Sequence, residues 1–141
     1  TAQEGYKYGF YDWTQALRKY GIKEYEQAFK GFESVSKLKK SDFKEEDNYI
    51  PAFSKYILGV MYFRGQGVSK DYNKAQNLWE KGMNDFPPFS AFNLGVLACK
   101  GWYGNYKNAP FYFKVAEALG GPKGNCDSKM LNIFGEEKDP F

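Results

Sequence analysis

Ser54-Lys-Tyr-Ile-Leu58-Gly59-Val-Met-Tyr62-Phe-Arg-Gly65-Gln66-Gly67-Val68-Ser-Lys-Asp71-Tyr72-Asn-Lys74-Ala75-Gln-Asn-Leu-Trp79 reads as two short helices joined by a glycine loop. Ser54, Leu58 and Tyr62 recur every four residues, the spacing of one helical face. Gly65 and Gly67 supply backbone angles that a sharp turn needs. Asp71 is placed to cap the second helix, where Tyr72, Ala75 and Trp79 again share a face.

The pattern repeats on both sides of this stretch. Leu58-Gly59-Val60-Met61 returns as Leu94-Gly95-Val96-Leu97, 36 residues on. Ser90 and Gly101 stand where Ser54 and Gly65 stand in the first copy. The Tyr-x-x-Ala-x-x-x-aromatic pattern occurs at Tyr25, Ala28 and Phe32, at Tyr72, Ala75 and Trp79, and at Tyr106, Ala109 and Phe113. A small residue lets a neighbouring helix approach, and the ring fills the space beside it. These aromatics, with Tyr62, are expected in the core. A period of 34–36 residues with two helices per unit is the mark of an α-solenoid.

Residues 54–79 resemble the Sel1-like repeat, a relative of the tetratricopeptide repeat. The landmarks are Ser54, Leu58-Gly59, Tyr62, Gly65-Gln66-Gly67-Val68, Asp71, Lys74-Ala75 and Trp79. Unit 90–116 departs from the pattern at Ala98 and at Gly101-Trp102-Tyr103-Gly104, and the first unit keeps only its second helix. The resemblance implies an all-α, right-handed superhelix over a single domain, 1–141. Its units are expected near 6–39, 50–84 and 89–119, with a cap over 120–141. Helices are expected near 6–20, 24–39, 50–64, 72–84, 89–100, 107–119 and a short closing one near 126–134. Residues 40–49 read as a polar loop. The aromatic cluster Tyr6, Tyr8, Phe10, Tyr11 and Trp13 is expected to cap the open end.

Composition narrows the chemistry. There is no histidine, so no Ser-His-Asp or Cys-His arrangement is available. Two cysteines cannot complete a zinc site, and Gly65-x-Gly67 lacks the rest of a phosphate loop. No metal or cofactor is expected. A net charge of +3 with interspersed signs makes no nucleic-acid stripe, and no apolar run approaches the length of a membrane span. Aromatics make up 20% of the chain, a high share that points to bulky packing layers or to an aromatic-rich contact surface.

In Sel1-like arrays the first helix of each pair lines the concave groove. Phe53, Tyr56, Phe63, Arg64, Phe89, Phe92 and Lys100 lie off the expected buried stripe of such helices. Together with Trp102 and Tyr103 of the divergent loop, they form the candidate protein-binding set. Packing between repeats is the alternative for the helical residues, and cover for a core edge is the alternative for the loop pair. Cys99 and Cys126 are candidates for one disulfide. The chain starts at Thr1, as a mature chain does after signal cleavage and as a trimmed one does too. The location expected is periplasmic or secreted, with the cytoplasm as the alternative. The resemblance implies a non-enzymatic scaffold, and one specific case is a bacterial periplasmic immunity protein that neutralises a secreted effector or toxin. A generic adaptor holding a peptide in its groove is the rival reading. An enzyme acting on cell-wall fragments or β-lactams is the third, and it would need a polar pocket.

Overall fold

A computed structural model describes residues 9–137. Among these the chain forms six α-helices and no strand. They are α1 (Phe10–Gly21), α2 (Tyr25–Ser36), α3 (Ile50–Arg64), α4 (Tyr72–Gly82), α5 (Phe89–Cys99) and α6 (Ala109–Ala118). Single 3₁₀ turns occupy Lys40–Asp42, Glu45–Asp47 and Tyr106–Asn108. The pairs α1–α2, α3–α4 and α5–α6 pack against each other, and α2–α3 and α4–α5 contacts join them in series. The all-helical fold and the sequential pairing expected from the repeat are both present.

Local chemistry sets the boundaries. The Asp71 carboxylate accepts from the Lys74 N–H at 3.0 Å, satisfying one of the free donors at the start of α4. Pro51 lies in the first turn of α3, where a missing N–H costs nothing. Gly65 closes that helix in the left-handed conformation, at φ 70°, which glycine adopts without steric cost.

The repeat is physical as well as textual. Gly59 of α3 has no room for a Cβ because the Trp79 indole lies on it, and Gly95 of α5 stands in the same relation to the Phe113 ring. The mid-helix glycine of the first helix thus receives the aromatic of the second, twice. Ala28, Ala75 and Ala109 are all buried at 1% exposure or less, with Phe32, Trp79 and Phe113 beside them. The tyrosines that open each pattern differ from expectation. Tyr72 and Tyr106 are 46% and 63% exposed, and Tyr25 is half-buried. Tyr72 is the first residue of α4 and Tyr106 precedes α6, so each ring stands at a helix start and not over the packed middle. Tyr62 is half-buried, edge-to-face on Phe29 at 5.4 Å.

The expected closing helix over 126–134 is absent. Residues 121–137 form an irregular strap instead. The Asn132 carboxamide oxygen accepts from the N–H groups of Phe134 and Glu136, and that of Asn125 from Asp127. Asparagine bonded to nearby backbone competes with helix, and Gly135 at φ 77° finishes the turn. An isolated antiparallel bridge joins Leu131 to Glu137. Tyr6 and Tyr8 of the expected end cap lie outside the described residues. Phe10 and Tyr11 are exposed while Trp13 is buried.

Candidate protein-binding surfaces

The strap decides which of the candidate residues can meet a partner. It lies on α3 and α5 and buries Met130, Leu131 and Ile133 to 2% exposure or less. Asn93, in the middle of α5, holds its backbone. The Asn93 Oδ1 accepts from the Leu131 N–H at 2.8 Å, and Nδ2 donates to the Leu131 carbonyl at 3.2 Å. The Tyr56 hydroxyl donates to the carbonyls of Leu131 and Asn132, at 3.0 and 2.6 Å. Full burial pushes the Tyr56 phenol far above its ordinary pKa, so it stays protonated and remains a donor.

Tyr56, Phe63 and Phe92 are therefore buried, at 1%, 3% and 0% exposure, and do not face an open groove. The physical reason is that α3 and α5 are apolar all round, as helices covered on every side are. A stripe analysis assigns such a helix an outer face that it does not have. Phe53 and Phe89 are half-buried and meet edge-to-face at 5.8 Å. Tyr49 links Phe53 to Phe86, which is 54% exposed. Arg64 is half-buried.

The divergent loop presents a different surface. Trp102 is 51% exposed. Its carbonyl accepts from Gln76 Nε2 at 3.0 Å, and the Lys100 ammonium sits 5.9 Å from its ring centroid. Trp102, Tyr72, Asn73 and Gln76 surround a cleft of about 350 Å3 whose floor is Phe63. Tyr103 is half-buried against Tyr112 at 5.5 Å. Lys100 and Trp102 lie together, Tyr103 turns to Tyr112, and Tyr72 joins Trp102 at the cleft unforeseen. Its exposure follows from its place at the first turn of α4.

Cys99 and Cys126 form a disulfide, with Cα atoms 5.3 Å apart and a sequence separation of 27. It ties the start of the strap to the end of α5. Among the described residues no cluster of His, Cys, Asp or Glu could hold a metal ion, and no helix is long and apolar enough to cross a membrane. Neither a protein-family model, a curated protein nor a solved structure matches the chain. Asn93 escaped the sequence reading, although one carboxamide within Phe92-Asn93-Leu94 is a signal: a buried polar group needs partners.

Proposed function

We propose that this chain is a non-enzymatic, Sel1-like helical-repeat scaffold, coiled as a right-handed superhelix, that binds another protein through the Trp102 loop. The observation that carries this reading is the half-exposed pair Trp102 and Tyr72 over the Phe63-floored cleft. Large rings held half out of water are the anchors around which protein interfaces form. Asn73 and Gln76 line the same cleft, and their amides can bond a partner's polar groups once water leaves. Lys100 adds a cation beside the ring. The specific partner proposed is a secreted antibacterial effector, bound and neutralised in the periplasm. Support for the location comes from the Cys99–Cys126 disulfide, a bond that persists in oxidising compartments.

The test is titration calorimetry of the purified chain against candidate effectors, with effector activity followed in parallel. Trp102→Ala is expected to weaken the complex by about 2 kcal/mol, roughly 30-fold, with an unchanged melting temperature. Absence of any complex and of any inhibition would remove the effector reading. Undiminished affinity in Trp102→Ala would move the interface elsewhere.

A further inference from the structure

The polar contacts that hold the strap are made to its main chain and do not depend on its sequence. Both polar atoms of the Asn93 side chain bond the main chain of Leu131, and Tyr56 bonds two main-chain carbonyls. Such main-chain recognition supplies affinity for an extended polypeptide, while flanking pockets supply specificity. Here the pockets take apolar side chains, those of Met130, Leu131 and Ile133.

One guanidinium nitrogen beside the strap is left without a hydrogen bond. Val60, Phe63, Arg64, Trp79, Met130 and Leu131 line a narrow gap, and the Arg64 Nη2 is buried with no hydrogen bond. A buried guanidinium nitrogen without an acceptor is costly. The residues lining the gap offer it hydrocarbon and aromatic surface, the Tyr20 and Tyr56 phenols are the polar groups that feel its charge, and the Glu136 carboxylate of the strap is turned to Asn132 at 3.2 Å. A carboxylate is the group whose geometry and charge match a guanidinium.

We propose that the groove between α3 and α5 is a polypeptide-binding site, that residues 128–137 occupy it as a resident competitor, and that its partner is an extended segment carrying a carboxylate for Arg64 beside apolar residues. Phe63 borders both this groove and the Trp102 cleft, but the inference does not use the binding role proposed for that cleft. The disulfide sets the strength of the competition. The strap is an intramolecular ligand by chain connectivity alone, and anchoring Cys126 to the end of α5 shortens its tether and raises its effective concentration. Three buried apolar side chains oppose the entropy of ordering residues 127–137, a balance that the tether tips. An incoming segment binds in proportion to the fraction of chains whose strap is out.

The test uses the full chain, oxidised and after opening the disulfide with a phosphine reductant. The probe is a fluorescein-labelled peptide of residues 127–137 carrying Met130→Glu, followed by anisotropy. Binding is expected at least tenfold tighter to the reduced chain than to the oxidised one. Arg64→Gln is expected to lose at least tenfold for this probe and to leave the affinity of the native-sequence peptide unchanged. No binding to the reduced chain, or equal binding by Arg64→Gln, overturns the proposal. Hydrogen exchange on the unsubstituted chain guards against a variant that fails to fold. Reduction should speed exchange of the Leu131 amide at least tenfold while the α5 amides stay protected. Unchanged Leu131 protection, or a uniform loss across the chain, also overturns it.

Discussion

The Trp79 indole rests on the backbone of α3 at Gly59, with its Nε1 donating to the Tyr56 carbonyl at 3.1 Å. Phe113 rests on Gly95 in the next unit, so the contact is a property of the repeat. An alanine is a better helix former than glycine by about 1 kcal/mol, yet at Gly59 its methyl would drive into a fully buried ring. Overpacking of this kind costs about 1–3 kcal/mol. Gly59→Ala and Gly95→Ala are therefore expected to lower the melting temperature. Gly82→Ala is the contrasting case, since its Cβ would meet only Ser90 Oγ at an ordinary 3.7 Å. Calorimetric melting of the three variants should show two losses and one neutral or positive shift. A stabilised Gly59→Ala would contradict the close contact.

The disulfide closes a loop of 27 residues around α6. Cross-linking a loop of that length stabilises by about 3.5 kcal/mol in the chain-entropy account. The Cys99→Ser, Cys126→Ser double variant should lose about that much in denaturant unfolding. A thiol assay of the native-source protein under denaturing conditions should find no free thiol, and two thiols would show the bridge unformed.

Tyr56→Phe keeps the ring and removes only the hydroxyl that bonds Leu131 and Asn132. The expected cost is about 1–1.5 kcal/mol, the net worth of a satisfied buried hydrogen bond. The loss should appear in chemical denaturation, with the strap amides exchanging faster than those of α1 and α2. Unchanged stability would mean that the Tyr56 hydroxyl adds nothing to what Asn93 and the buried side chains supply.

Burial raises the Tyr56 phenol above its ordinary value of 10.0. A group whose folded pKa is raised adds stability that is present below its unfolded pKa and lost as pH climbs toward the folded one. Stability is thus expected to be flat with respect to this group below about pH 10 and to fall above it. Tyr56→Phe should reduce that alkaline slope, as read from urea midpoints between pH 9 and 11. An identical slope in the variant would assign it to other tyrosines.

Much of the architecture was legible without coordinates because helical spacing is local. Whether Ala75 and Trp79 share a face depends only on the turn between them, and both are fully buried. Gly59 and Gly95 announced close contacts by standing mid-helix, where glycine is otherwise a cost. The departure from the repeat at 101–104 was legible, and its two rings part company: Trp102 is 51% exposed while Tyr103 packs against Tyr112.

The outer face of α3 and α5 was decided by tertiary structure alone. Tyr56 meets Leu131 across 75 residues and Asn93 meets it across 38, distances over which periodicity carries no information. The segment that covers them was expected to be helical. Its asparagine carboxamides bond their own backbone instead, which leaves the strap free to be shaped by the surface it covers. Local spacing determined which residues lie together along each helix, and only the return of the chain determined which of those faces water touches.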